Sequence, residues 1–285
     1  MKKIIWISSY PKSGNTWVRA IISSLLYSSN GNFNFNLLKL IEVFEKKNRF
    51  DFVKNLNEKD YNELDKLENI CRYWLKCQER IVFNKELNPI YNIFKTHSAN
   101  LSVNNNNFTN ENLTSGVIYI IRDPREVIIS YSSHMKKKFD DTMEAIFDQK
   151  RLLSAENNLA VALMSSWNIH YESWKTLKVP KLLIKYENLI SNPKKEIKEI
   201  SEFLGNTLSI DSDILTKKNL NVFNTTKIDI FRNYEKIKGF DEAPKNSLFF
   251  GNAKIDSWKE KLSTKQINKV EDVFNKTMHE LKYLI

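Results

Sequence analysis

Cysteine, histidine and long apolar runs are all scarce in this chain of 285 residues. The two cysteines, Cys71 and Cys77, stand six apart in a polar stretch of helical character. Residues so spaced share no helix face, and no disulfide framework, C-x-x-C metal site or redox pair can be written with them. A reducing cytoplasm is the expected setting. Apolar runs stop far short of a membrane span, and the one near the N-terminus, Ile4 to Ile7, is cut by Pro11-Lys12, which argues against a signal peptide too. The four histidines have no cluster of carboxylates or thiols beside them, so no metal is expected. Internal repeats and linkers are missing, which points to one domain over residues 1–285. RNP, zinc-finger and helix-turn-helix patterns are also missing, which argues against a nucleic-acid partner.

What is present is a chain rich enough in apolar residues (41%) and aromatics (12%) to bury a full core. Its formal net charge of +10 suits a polyanionic nucleotide, and equally nucleic acid or an anionic membrane. The lysines are mixed with glutamates, as in EKDYNELDKLENICRYWLKCQER, and read as solvated faces. One concentrated run, Lys136-Lys137-Lys138, reads as a surface patch or the flank of a substrate entrance.

Short apolar runs alternate with helical patterns through the first 205 residues. KIIWISS (Lys3 to Ser9) suits a strand buried on both faces, and Asn15 to Ser28 carries Trp17, Ile21 and Leu25 beside Val18, Ile22 and Leu26 at helical spacing. Further strands are expected at Ile90 to Phe94, Gly116 to Ile121 and Lys181 to Lys185. A helix starts at Asp123-Pro124 with Glu126 completing a capping pattern, and another runs from Asn192-Pro193 to a terminating Gly205. Ser263 and Gln266 open a last amphipathic helix in a mainly helical C-terminal part. The Asn-rich stretch Ser98 to Ser115 has no periodicity and reads as a long loop by a crevice, with Phe33 and Phe35 as another lip. An α/β class with a parallel β-sheet flanked by helices follows.

The loop after the first strand reads Y-P-K-S-G-N-T-W, from Tyr10 to Trp17. Backbone amides of Ser13, Gly14, Asn15 and Thr16 face the helix N-terminus, where the dipole favours an anion, and Lys12 adds a full positive charge. It is not a Walker A loop, because Lys12 precedes the loop's glycine instead of following a second one. A plain strand-to-helix turn remains the alternative for this segment alone. Arg122 stands at the end of another strand, with Ser130 two turns into the helix that follows. His97 closes the strand that ends K-T-H, a position that faces the ligand crevice in open α/β sheets.

These segments resemble, in order, the donor loop, catalytic K-T-H and R-D-P…S segments of the cytosolic sulfotransferases, which take a sulfuryl group from 3′-phosphoadenosine 5′-phosphosulfate (PAPS). The resemblance implies a P-loop NTPase-like three-layer sandwich. It implies PAPS as donor without a metal, and a hydroxyl or amine of a small-molecule, sugar or lipid acceptor. It assigns His97 as general base, Lys95 to the sulfuryl oxygens and Lys12 to the departing phosphate. Arg122 and Ser130 then hold the 3′-phosphate, while Trp17, Tyr186 of Y-E-N and Phe223, within a divergent L-N-V-F-N, lie by the adenine. The missing membrane anchor separates the chain from the Golgi sulfotransferases.

One departure stands out. Aligned on Trp258, the family's R-K-G-x-x-G-x-W pattern, which supplies cations to the 3′-phosphate, is replaced by Gly251, Asn252 and Ala253. Lys236, Lys238 and Lys254 are the substitutes at hand. A P-loop kinase and a non-catalytic nucleotide-binding protein stay open as alternatives.

Overall fold

The first strand, β1 (Ile4–Ser9), is buried along its whole length in a computed structural model that describes residues 2–83, 90–155, 158–243, 249–251 and 254–284. Six buried residues in a row, without alternation, mark a strand covered on both faces. After it come α1 (Asn15–Tyr27), two 3-10 stretches at Phe35–Leu40 and Lys47–Asn55, and the helices α2 (Glu58–Asn62), α3 (Leu67–Ile70) and α4 (Trp74–Phe83). The middle of the chain forms β2 (Ile93–Thr96), β3 (Ser102–Val103), β4 (Asn106–Asn107), β5 (Thr114–Ile121), α5 (Pro124–Met135) and α6 (Phe139–Phe147). An antiparallel pair, β6 (Leu152–Leu153) and β7 (Ala162–Leu163), leads to α7 (Trp167–Lys175) and β8 (Lys181–Lys185). The remainder is helical: α8 (Tyr186–Ser191), α9 (Pro193–Leu208), α10 (Ser212–Thr216), α11 (Asn219–Thr225), α12 (Ile228–Lys238), α13 (Trp258–Lys261) and α14 (Thr264–Glu280).

The main sheet has the order β2-β1-β5-β8, with β1 and β2 parallel in the register Ile5↔Ile93, Trp6↔Phe94, Ile7↔Lys95 and Ser8↔Thr96. Two compact units make up the chain, one of Met1–Tyr10, Ile41–Tyr119 and Asp148–Leu183, the other of Pro11–Leu40, Ile120–Phe147 and Ile184–Ile285. The first is centred on Trp6, whose ring lies 5.0 Å from Phe44, 5.3 Å from Phe108 and 6.0 Å from Trp174, and whose indole N–H donates to Thr114 Oγ1 at 3.1 Å. Tilted and edge-on ring contacts of this kind satisfy the aromatic quadrupoles while burying large areas. In the second unit Phe231 packs on Phe33 and Phe250 at 5.2 Å each, and Phe35 stacks on Tyr234 at 3.5 Å. Phe33 and Phe35 are thus part of an aromatic cluster.

Several expectations shift. The strand expected at Ile90 to Phe94 lies at Ile93–Thr96, which takes Lys95 and Thr96 into the sheet and leaves His97 just past its end. The Asn-rich stretch is not one long loop: Asn104 and Asn105 adopt φ of 49° and 64° and turn the β3–β4 hairpin. Asparagine tolerates the left-handed region that a two-residue hairpin turn demands. Gly205 does not end α9, which runs on to Leu208 and closes at Ser209 with φ 55°. An added Cβ at Gly205 would meet the Ile210 carbonyl oxygen at 3.3 Å, so this glycine permits close approach of the following chain. Asn192 holds the N-cap place of α9 without a side-chain cap bond. The capping box of Ser263 and Gln266 on α14 is present in full.

Candidate active site

In the second unit the chain leaves β1 through a left-handed Lys12 (φ 66°) and reaches Gly14, at φ 100°, as the N-cap of α1. A Cβ on Gly14 would lie 2.6 Å from Tyr186 Cδ2. Glycine is therefore required for its φ and for the ring packed against it. No side chain caps α1, and the buried Ser13 Oγ has no hydrogen-bond partner among the described residues. A helix N-terminus without a side-chain cap and with an unsatisfied buried hydroxyl beside it is a place where the helix dipole favours an anion. The Thr16 hydroxyl donates to Glu242 Oε2 at 3.3 Å, and Arg19 Nη1 holds Glu242 Oε1 at 2.6 Å. A cavity of about 150 Å³ lies there, lined by Arg19, Phe35, Leu38, Tyr234, Phe240 and Glu242 among others.

Cations gather around the same loop. The Lys12 ammonium sits 4.0 Å above the Phe249 ring. Arg122, directly after β5, donates to the Lys12 carbonyl at 3.2 Å and to Glu126 Oε2 at 3.1 Å, with its guanidinium 4.3 Å over the Tyr186 ring. Asp123 caps α5 by accepting from Arg125 N at 2.9 Å. Glu126 is not its capping partner. The Glu126 carboxylate turns to Arg122, Ser257 Oγ and Trp258 N, while the Asp123 N–H donates to Glu187 Oε1 at 3.0 Å. Burial holds the Glu187 carboxyl above its ordinary pKa.

Trp17 meets Tyr186 edge-on at 6.2 Å and donates its indole N–H to the Thr226 carbonyl at 2.8 Å. Lys12, Gly14, Trp17, Arg122 and Tyr186 thus come together. Ser130 lies half-buried on α5, and Phe223 half-buried on α11 with the Lys194 and Lys227 ammonium groups 5.0 and 5.3 Å from its ring.

Gly251 is held from α12: Arg232 Nε and Nη2 donate to its carbonyl at 2.9 and 2.6 Å. Asn252 and Ala253 lie outside the described residues. Lys236, Lys238 and Lys254 are exposed.

The first unit carries Lys95 and His97. The parallel register sets Ser9 beside His97, and His97 Nδ1 lies 2.7 Å from the Ser9 carbonyl oxygen. On either side of His97, Thr96 Oγ1 and Ser98 Oγ both donate to Glu45 Oε1. Glu45 is fully buried, which pushes its carboxyl up in pKa against the pull of those two hydroxyls. His170 Nε2 lies 3.1 Å from the His97 carbonyl oxygen, and its Nδ1 2.7 Å from the Tyr119 hydroxyl. Burial lowers the His170 pKa to about 4, so a neutral ring donates to the first and accepts from the second. Lys95 is half-buried, with its backbone N–H on the Glu42 carbonyl and its carbonyl taking the Phe44 N–H, 2.9 Å each.

Sequence reasoning missed Glu45, His170 and Arg232. The first two lie about 50 and 70 positions from His97, and only tertiary structure joins them to it. Arg232 carried one usable signal, its place one turn before Glu235 on a helix face. Among the described residues no group of acidic, histidine and cysteine side chains is arranged to hold a metal, and no helix is long and apolar enough to cross a membrane.

The profile of the sulfotransferase domain matches residues 2–282. The chain belongs to that family. It is 26% identical to sulfotransferase 1A1 of Rattus norvegicus, over 97% of this chain and 85% of the relative, and 21% identical to flavonol 3-sulfotransferase of Flaveria bidentis, over 96% and 81%. Among solved structures it resembles mouse sulfotransferase SULT7A1 complexed with PAP, with a TM-score of 0.56 and 17% identity over 98% of this chain and 85% of the other. Retinol dehydratase in complex with androsterone and inactive cofactor PAP gives the same score at 16% identity, over 96% and 80%. The chain shares their α/β fold.

Proposed function

We propose that this chain moves a sulfuryl group from PAPS to a hydroxyl or amine of a small-molecule, carbohydrate or lipid acceptor, as one sulfotransferase-like domain over residues 1–285 working in the cytoplasm. The observation that carries this reading is the anion receptor of α1: a left-handed Gly14 under Tyr186, an unsatisfied buried Ser13 hydroxyl, and Lys12 and Arg122 close by. Relatives named for flavonols and for 3-beta-hydroxysteroids put small hydroxylated molecules first among the acceptors. Two free, buried cysteines suit a reducing compartment.

PAPS supplies, when bound, an activated sulfuryl group on a 5′-phosphate leaving group. Transfer of such a group proceeds through a loose transition state and asks the protein for positioning and charge stabilisation. The amides of Ser13, Gly14, Asn15 and Thr16, with the Thr16 hydroxyl, hold the 5′-phosphate. Lys12 neutralises the charge that develops there, and Lys95 stabilises the sulfuryl oxygens. His97 accepts the acceptor's proton at Nε2, since Nδ1 is committed to Ser9. Arg122 and Ser130 bind the 3′-phosphate, and Trp17, Tyr186 and Phe223 enclose the base.

Calorimetry with adenosine 3′,5′-bisphosphate against Mg²⁺-ATP tests the reading. Tighter binding of the bisphosphate is expected. Preference for Mg²⁺-ATP would transfer the chain to the phosphoryl transferases, and turnover in an acceptor screen distinguishes an enzyme from a nucleotide-binding regulator.

A further inference from the structure

The Arg122 guanidinium lies 4.3 Å over the Tyr186 ring, but its charge is shared with a buried carboxylate: Glu126 Oε2 sits 3.1 Å away, and the side chains are 10% and 3% exposed. A phosphate dianion placed on that pair meets a near-neutral site and needs a further cation. The chain has none at Gly251, where the resemblance leads one to look.

Helix α12 supplies it. Glu235 accepts from Phe249 N at 2.5 Å and Phe250 N at 3.0 Å, while Arg232, one turn earlier, grips the Gly251 carbonyl with Nε and Nη2. Residues 249–251 are thereby pinned to α12, with a guanidinium at the backbone position that otherwise carries an arginine side chain. Burial raises the Tyr186 pKa, and the charges of Arg122 and then Arg232 oppose that rise. The ring of that phenol packs on Gly14. The remaining Arg232 nitrogen, Nη1, pairs at 3.0 Å with Asp229, whose side chain is 78% exposed. An exposed pair of this kind is weak and is readily exchanged for a charge-assisted hydrogen bond from Nη1 to a phosphate oxygen.

We propose that Arg232 is a binding and specificity residue for the 3′-phosphate of the nucleotide, taking the place of the cations absent at Gly251 and Asn252. The proposal rests on the sulfotransferase reading above, and its test separates the two. Wild type, Arg232→Gln and Arg232→Lys are titrated calorimetrically with adenosine 3′,5′-bisphosphate and with adenosine 5′-monophosphate. Arg232→Gln keeps a donor for the Gly251 carbonyl and removes the charge. It is expected to weaken the bisphosphate about 10- to 100-fold, the range for a hydrogen bond to a charged group, and the monophosphate less than about 3-fold. Arg232→Lys is expected to recover part of the loss. Equal losses for the two nucleotides would mean that Arg232 only secures residues 249–251, and unchanged binding would remove it from the site; either overturns the proposal. A wild type that does not prefer the bisphosphate to the monophosphate overturns the sulfotransferase reading itself.

Discussion

His97 Nδ1 lies 2.7 Å from the carbonyl oxygen of Ser9, and because a carbonyl only accepts, Nδ1 carries a proton and the lone pair of the neutral ring falls on Nε2. His97→Asn places an amide N–H near the Ser9 carbonyl without a base behind it. Turnover is expected to drop by at least about 100-fold, the low end for general base catalysis, with calorimetric binding of adenosine 3′,5′-bisphosphate unchanged. Turnover within about 3-fold of wild type would end the assignment of His97 as base.

His170 predicts a pH-dependent stability. Its pKa is about 4 in the folded chain against 6.5 for the free side chain, because burial penalises the charged ring. The folded state thus binds the proton less well than the unfolded one. The stability is complete above pH 6.5 and is lost as pH falls toward 4, by about 3 kcal/mol in all, at about 1.4 kcal/mol per pKa unit. Urea unfolding at pH 7 and pH 5 is expected to show a larger loss for wild type than for His170→Gln. Equal losses in the two proteins would contradict it.

Glu45 carries the opposite sign. Its folded pKa is raised above 4.5, so the stability it contributes is present below that value and is lost as pH rises. Glu45→Gln keeps the oxygen that accepts from Thr96 and Ser98 and drops the buried charge. Thermal unfolding is expected to find it at least as stable as wild type at pH 7, with the difference shrinking toward pH 4. Glu45→Ala strands two buried hydroxyls and is expected to cost about 2 kcal/mol. A Gln variant as unstable as the Ala variant would show that the charge itself is needed.

Glu242 holds the Thr16 hydroxyl that the 5′-phosphate reading requires. Bringing a phosphate to Thr16 and Arg19 means displacing a carboxylate whose side chain is 30% exposed. Glu242→Gln is expected to tighten adenosine 5′-monophosphate and the 3′,5′-bisphosphate alike, on the order of 3- to 10-fold, since the change acts at the end they share. Weaker binding of either nucleotide in calorimetry would show that Glu242 supports the site instead of competing for it.

Gly14→Ala sets a Cβ 2.6 Å from the Tyr186 ring at a φ of 100°. Strain at one such residue costs about 1–3 kcal/mol. Denaturant titration is expected to show a loss in that range, and the double variant with Tyr186→Ala a smaller loss than the two single changes summed. Strict additivity would mean that ring and glycine do not constrain each other.

How much of this was legible in advance depended on how local the cause was. The strand-to-helix turn after β1, the Asp123 cap and the Ser263–Gln266 box were readable because each is decided within a few residues. The β3–β4 hairpin was not, since strands of two residues leave no alternation to detect and the turn rests on asparagines in place of glycine. Gly205 misled because its role is close approach of the chain beyond the helix, which no local pattern records. The partners of His97 were hidden for the same reason: Glu45 and His170 are ordinary residues in ordinary segments until the fold brings them to the end of β2.

Trp6, Trp74, Trp167 and Trp174 are each no more than 1% exposed, and all four belong to the unit that carries His97. Trp17, in the other unit, stands edge-on to Tyr186. The ultraviolet emission of the folded chain is accordingly dominated by blue-shifted indoles that report the integrity of one unit. The placement of these four rings equips the molecule with a built-in optical probe of that unit that needs no added label.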